Sequence, residues 1–108
     1  MSTSNMTFND YQKQASETAI YRSEHAVIYP ALGLAGEAGE VANKVKKILR
    51  DNKFDRDQVA AEVGDCLWYI AAICRDLNVD MGELAQANLD KLNDRKERGT
   101  LQGNGDTR

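Results

Sequence analysis

Two short stretches of the chain each carry a pair of carboxylates three positions apart. Glu37 and Glu40 form the first pair, and Glu62 and Asp65 form the second. Small and apolar residues with helical periodicity surround both pairs, and a spacing of three places the two acids of a pair on one face of a helix. If the two faces turn toward each other, the four carboxylates form one cluster, which we call the acid cup.

An acid cup favours bound cations. Four like charges at short range raise each other's pKa and strain the fold unless cations compensate them. The cup contains neither histidine nor cysteine, and hard oxygen ligands of this kind favour magnesium, with manganese as a substitute, over zinc. The sequence therefore predicts a divalent metal site whose candidate ligands are Glu37, Glu40, Glu62 and Asp65.

Length and composition limit the class of protein. The chain has 108 residues, enough for one modest core, and we expect residues 1–108 to form a single domain. With 29% charged and 42% hydrophobic residues it is typical of a soluble globular protein, and its single proline favours helices. A net charge of −3 argues against a nucleic-acid polymer as partner, because such binding needs a basic face. A small anionic ligand remains compatible where local cations or metal ions receive it.

No segment is typical of secretion or of a membrane span. Residues 1–7 lack a basic segment followed by an apolar one, and the apolar run 66–74 is too short to cross a bilayer. Cys66 and Cys74 lie roughly 12 Å apart along one expected helix, so they cannot form a disulfide with each other. Two reduced thiols and the lack of a membrane partner favour a cytoplasmic location.

Apolar periodicity and stop signals predict four helices. Thr7 and Asp10 resemble a capping box that opens the first helix, and Pro30 fits the first turn of the second. Either Asp55 or Asp57 can cap the third, and Gly99 follows the last. The expected helical ranges are 7–20, 30–52, 55–78 and 80–98.

Four helices joined by short connections predict an all-α fold, an antiparallel four-helix bundle in which facing helices can build a metal site. A ferritin-like di-iron site is a weak alternative, because it needs Glu-x-x-His on two helices. The single histidine, His25, has no glutamate three residues before it. The expected inward positions on the second and third helices are Leu34, Val41, Val45, Ile48, Leu49, Val59, Val63, Leu67, Ile70 and Cys74. The apolar positions of the fourth helix are Leu84, Leu89 and Leu92.

The combined motifs resemble a known enzyme family. Gly-Leu-Ala-Gly-Glu-Ala-Gly-Glu at 33–40 and Glu-Val-Gly-Asp at 62–65 are similar to the acidic signature of the all-α nucleoside triphosphate pyrophosphohydrolases, MazG branch. The likeness continues through 88–95 and 98–108, so it covers about residues 7–108. It implies a magnesium-dependent, helical oligomer that hydrolyses nucleoside triphosphates to monophosphate and pyrophosphate, and that often clears noncanonical or excess nucleotides.

The resemblance also assigns roles to residues of the site. It implies that the four acids are catalytic metal ligands, although one of them could instead orient the attacking water. Asn88, Lys91 and Arg95 share one helix face and resemble phosphate-binding positions, with a merely solvated face as the alternative. Lys44 and Lys47 either balance the charge of the cup or are ordinary exposed lysines.

Two aromatic residues follow Asp65 by three and four positions. Tyr69 resembles a position that contacts substrate, and we expect it near the sugar or the phosphates. We expect Trp68 either in the core or stacked on the base. Residues 99–108, with three glycines and several cations nearby, form an expected flexible tail that either closes over the nucleotide or is a frayed terminus.

Several functions remain open within this interpretation. The intact four-acid set favours an enzyme over a noncatalytic helical interaction module. Within the enzyme class, a specific dUTP or dCTP hydrolase and a phosphoribosyl-ATP pyrophosphohydrolase are alternatives to a general nucleotide-pool enzyme. The apolar run 27–29 beside Pro30 and the small size of the core predict surface left to bury, as in a homodimer or homotetramer.

Overall fold

The computed structural model describes residues 5–106 and 108, and these residues form four α-helices and no strand. The predicted all-α class is confirmed. A short 3₁₀ helix, Ser23–His25, lies in the connection after the first helix. The start of the chain, where no signal segment was expected, lies outside the described residues up to position 4. The helices are α1 (Phe8–Ser16), α2 (Ile28–Asp51), α3 (Arg56–Asp76) and α4 (Met81–Arg98).

Local sequence signals set several helix ends. Thr7 and Asp10 form the predicted capping box, because the Thr7 hydroxyl accepts from the Asp10 amide and the Asp10 carboxylate accepts from the Thr7 amide. Asp55, the first of the two expected candidates, caps α3 by accepting from Gln58 N. α1 ends at Ser16, four residues earlier than expected. The chain turns there, because the backbone N–H groups that follow donate hydrogen bonds to carbonyls three residues back.

The start of α4 is capped from another helix. The Asp80 side chain makes no capping hydrogen bond. Instead, Gln12 Oε1 accepts from Met81 N at 2.8 Å and Asn9 Oδ1 accepts from Gly82 N at 2.9 Å. These two α1 side chains satisfy amides that a helix start leaves without an intrahelical partner, and so they fix α4 against α1.

A small core joins α1, α3 and α4. Ala71, Cys74 and Met81 are buried, and Leu67 and Ile70 pack against them. Cys66 and Cys74 are free thiols, as expected. Among the described residues, no helix is both long and apolar enough to cross a membrane.

Several positions that we expected to face the core are exposed. Leu49 is 90% exposed on α2 and Val45 is 40% exposed. Val63, Leu84 and Leu89 are also exposed. The inward assignment of Val45, Leu49 and Val63 was wrong for the single chain, whereas Leu84 and Leu89 were expected only to be apolar positions of α4. α2 packs mainly against α3 and leaves its other apolar side, with Val45 and Leu49, uncovered.

Candidate metal centre

The acidic pairs lie where α2 and α3 run antiparallel against each other. Contacts between the two helices step in opposite directions along the chain, from Gly33 against Tyr69 to Glu37 beside Asp65. A Cβ added at Gly33 would overlap the Tyr69 ring, so only glycine allows this approach. The glycine therefore sets both the closeness of the helices and the place of Tyr69.

Three of the four predicted acids converge between the helices. Carboxylate oxygens of Glu37, Glu62 and Asp65 lie within 4.8 Å of one another. Glu37 Oε2 is buried and has no hydrogen-bond partner among the described residues. A buried carboxylate oxygen of this kind is unusual in a folded protein, and it is an atom that suits a bound cation or water.

Desolvation and neighbouring negative charge act together on Glu37. Desolvation raises its pKa above the usual glutamate value. A hydrogen bond shared with the Glu62 carboxyl and the negative charges of Asp65, Glu62 and Glu40 raise it further. Glu40 lies one helical turn after Glu37 and is exposed, outside the group of three whose oxygens converge. The structure thus brings three acids together and places the fourth close enough to act through its charge.

Both predicted aromatic residues border the acids. Trp68 and Tyr69 line an open cavity of about 270 Å³ together with Glu37 and Asp65. Their rings meet edge to face, with centroids 5.1 Å apart and an interplanar angle of 88°. Desolvation raises the pKa of Tyr69, and the charges of nearby groups add to the effect, so the hydroxyl stays protonated at neutral pH.

Trp68 also lines a second cavity, of about 300 Å³. Tyr21 and Tyr29 stack in this cavity with ring centroids 4.8 Å apart, and His25 borders it. The Trp68 indole N–H donates to Thr18 Oγ1 at 2.8 Å, which fixes the ring between the two cavities. The sequence did not predict a place beside the acids for either tyrosine, because they belong to a connection and to a helix start, where no repeat spacing marks them.

The predicted phosphate-binding residues of α4 bind the end of the chain. Lys91 Nζ lies 2.7 Å from Asp106 Oδ1, and Arg95 Nη2 lies 3.0 Å from the same oxygen. Arg95 is only 4% exposed and also donates to the Asp106 main-chain carbonyl. Hydrogen bonds from Lys91 and then from Arg95 lower the pKa of Asp106. We call these three residues the tail clasp.

The other predicted substrate contacts lie away from the acid cup within one chain. Asn88 and Lys91 line a mainly apolar cavity of about 450 Å³ that includes Leu67. Lys44 and Lys47 border a separate hollow of about 190 Å³ near the end of α2. The structure therefore unites the acids with the aromatic pair but not with these cations.

Comparison with known proteins places this geometry in context. The profile of the MazG nucleotide pyrophosphohydrolase domain matches residues 29–100, a range that contains the whole acid cup. Gene 37 protein of Mycobacterium phage L5 is 48% identical over 109 aligned residues, which cover 91% of this chain and 96% of that protein. No solved structure matches the chain.

Proposed function

The chain belongs to the MazG nucleotide pyrophosphohydrolase family, and on that premise we propose that it hydrolyses ribo- or deoxynucleoside triphosphates to the monophosphate and pyrophosphate. The observation that carries the proposal is the convergence of the Glu37, Glu62 and Asp65 carboxylates, where the buried Glu37 Oε2 has no hydrogen-bond partner in the part of the chain that the structure describes. We further propose that residues 1–108 act as one domain and that the enzyme cleans the cytoplasmic nucleotide pool.

The donor set of the acid cup fits a divalent magnesium ion. All its candidate ligand atoms are carboxylate oxygens, which suit magnesium or manganese. A cation at this place would also offset the like charges that raise the Glu37 pKa. Glu37, Glu62 and Asp65 would hold the ion, with Glu40 beside them. When bound, the metal would polarise the scissile phosphoryl group and lower the pKa of water.

The residues around the cup would position the nucleotide. Tyr69, fixed against Gly33, would contact the sugar or the phosphates through a hydroxyl that remains a hydrogen-bond donor. Trp68 offers an apolar ring for stacking on the base. One of the cup carboxylates would accept a hydrogen bond from the attacking water and so orient it toward the α-phosphate.

We assign the cations to the charged end of the substrate. Lys91 and Arg95 bind the Asp106 carboxylate, and phosphate oxygens accept the same charge-assisted hydrogen bonds. Because a carboxylate and a phosphate accept the same hydrogen bonds, the contact with Asp106 supports the proposal that Lys91 and Arg95 bind phosphate. Asn88, one turn earlier on the same helix, would join them. Lys44 and Lys47 would contribute further positive charge along α2.

We propose that the enzyme is a homodimer or a homotetramer. Ile28 is 62% exposed and Leu32 is 69% exposed, and both lie on α2 with Leu49. Three large apolar side chains exposed on one helix favour an interface in which a second copy of the chain buries them. Sedimentation of the protein at micromolar concentration should give a species heavier than 12.0 kDa, and a clean 12.0 kDa monomer would contradict the proposal.

Pyrophosphate release from a panel of ribo- and deoxynucleoside triphosphates, with phosphoribosyl-ATP included, tests the proposed reaction. The wild-type protein should release pyrophosphate in the presence of magnesium, and Glu62→Gln should lose that activity while its melt stays cooperative. Glu97→Gln, on an exposed position of α4, is the matched control and should keep full activity. Equal activity in Glu62→Gln and wild type would overturn the assignment of the cup.

A further inference from the structure

The segment that joins α1 to α2 is held by one carboxylate at the end of α3. Asp76 Oδ2 accepts from the Tyr21 hydroxyl at 2.6 Å and from Val27 N at 2.8 Å. Arg75 Nη2 donates to Asp76 Oδ1 at 2.9 Å and to the Tyr21 oxygen at 3.0 Å. The Asp76 side chain is only 4% exposed, so these bonds form in a largely dry environment.

The backbone that Asp76 holds is strained. Val27 has φ 68° and ψ −50°, and Ile28 N donates to Ala26 O at 2.7 Å across it, which is a γ-turn with positive φ. A β-branched residue rarely adopts this conformation, which is strained and persists only where the surroundings hold it. The hydrogen bond from Val27 N to Asp76 supplies such a hold.

This strained turn fixes where α2 begins relative to α3. Val27 is the N-cap residue of α2, so its bond to Asp76 is the first in the series of α2–α3 contacts that continues with Gly33 and Tyr69 and reaches the acid cup. Asp76 follows Asp65 by eleven residues, about 16 Å along the helix axis. A slip of one residue in α2 would move Glu37 by about 1.5 Å and rotate it by about 100°.

We propose that Asp76 is a positioning residue that fixes the register of α2 against α3 through the strained Val27 turn, and so sets the spacing of the carboxylates in the acid cup. The same carboxylate holds Tyr21, which stacks on Tyr29 in the wall of the cavity beside Trp68. The part that concerns metal binding rests on the proposed function. The part that concerns register does not.

The main test compares Asp76→Asn with Asp51→Asn. Each aspartate is the last residue of its helix and follows an arginine with which it pairs, but Asp51 lies on the surface at the end of α2. Calorimetric titration with magnesium alone should show at least about 10-fold weaker binding in Asp76→Asn, the size expected for groups that orient ligands. Asp51→Asn should bind magnesium as wild type does. Equal affinity in all three proteins would overturn the proposal.

A rescue experiment separates positioning from a general loss of stability. Val27→Gly removes the strain, because glycine adopts positive φ without a side-chain clash. If Asp76 acts by holding this turn, the double variant Asp76→Asn, Val27→Gly should regain most of the lost magnesium affinity. A double variant that binds magnesium no better than Asp76→Asn would count against the mechanism.

A readout without metal keeps the register claim testable if the wild type binds no magnesium, a result that would by itself reject the proposed metal site. Amide NMR signals of Glu37, Glu62 and Asp65 should shift in metal-free Asp76→Asn and stay unchanged in Asp51→Asn. Unchanged signals in both variants would overturn the register claim. If Asp76→Asn does not fold, Tyr21→Phe takes its place, because it removes one donor to the same carboxylate. Its amide signals should shift in the same way but less. Unchanged signals in Tyr21→Phe would then overturn the register claim.

Discussion

The acid cup and the tail clasp are both clusters of charged side chains, but their charges are balanced in opposite ways. In the cup, desolvation and neighbouring carboxylates raise the pKa of Glu37 and leave one of its oxygens without a hydrogen-bond partner among the described residues. In the clasp, Lys91 and Arg95 hold Asp106 between them and lower its pKa. The cup gathers like charges, whereas the clasp pairs opposite charges.

In the free protein, this difference separates a cluster of like charges from a contact of opposite charges that stabilises the fold. In the proposed complex, phosphate oxygens would take the place of the Asp106 carboxylate on Lys91 and Arg95. A cluster of like charges weakens the folded state until a ligand compensates it, and proteins retain such strain where binding needs it. Opposite charges with short hydrogen bonds already contribute to the folded state. Removing a charge should therefore have opposite effects on stability in the two regions.

The largest expected effect is on catalysis in the cup. Asp65→Asn should lower pyrophosphate release by about 10²-fold or more, since it removes one charged ligand of the proposed metal site. In EDTA the same variant should melt at a temperature equal to or higher than wild type, because it relieves repulsion with Glu37. Activity and thermal melting of one preparation check both. A variant that is active and less stable would contradict the contrast between cup and clasp.

Magnesium should stabilise the protein through the cup alone. A ligand at 100 times its dissociation constant stabilises a folded protein by about 2.7 kcal/mol, so the melting temperature should rise by several degrees. Manganese should act in the same way. Glu62→Gln should lose this increment, while Arg98→Gln, far along α4, should retain it. A melt that is insensitive to both EDTA and millimolar magnesium would mean that the cup binds no divalent ion.

Arg95 should contribute to the stability of the metal-free protein. Arg95→Gln removes charge-assisted hydrogen bonds from a buried side chain and should lower the free energy of unfolding by about 2 kcal/mol. The control is Arg22→Gln, whose exposed pair with Glu24 should cost about 0.5 kcal/mol or less. Urea denaturation in EDTA measures both. Equal losses in the two variants would show that the clasp adds no more than a surface ion pair.

The smallest expected effect is on the pH dependence of stability without metal. The pKa of Glu37 in the folded state is raised above 4.5, so the folded state binds more protons than the unfolded state above that pH. Wild type should therefore gain stability as the pH falls from neutral toward 4.5. The folded pKa of Asp106 is lowered, so its contribution is present above pH 3.8 and is lost below it. Melting curves in EDTA from pH 7 to 3 check this. Glu37→Gln should remove the first change and Asp106→Asn should reduce the second.

The tail illustrates a prediction that remains open. Residues 99–108 were expected to be flexible and either to close over the nucleotide or to fray. The described part of the tail contacts α4 through Asp106, and the Arg108 guanidinium donates to the carbonyls of Thr100 and Leu101. Thr107 lies outside the described residues. Closure over a nucleotide, like the roles of Lys44, Lys47 and Asn88, stays a prediction.

The sequence alone determined the features that depend on neighbours along the chain. The Thr7 and Asp10 capping box, an aspartate cap at position 55 or 57 and the stop at Gly99 follow from hydrogen bonds or turns that span a few residues. The pairing of acids at a spacing of three is likewise a property of one helix. These features needed no knowledge of how the helices pack.

Only the tertiary structure decided which distant residues meet. Three contacts join residues from different elements: Asp76 holds Val27, Gln12 caps the start of α4, and Arg95 binds Asp106. No spacing in the sequence marks these contacts. The outward side of α2 was missed for the same reason, since helical periodicity shows that a face is apolar but not what covers it. Packing selects these contacts because it depends on the relative positions of whole helices, which local hydrogen bonds and residue spacing leave undetermined.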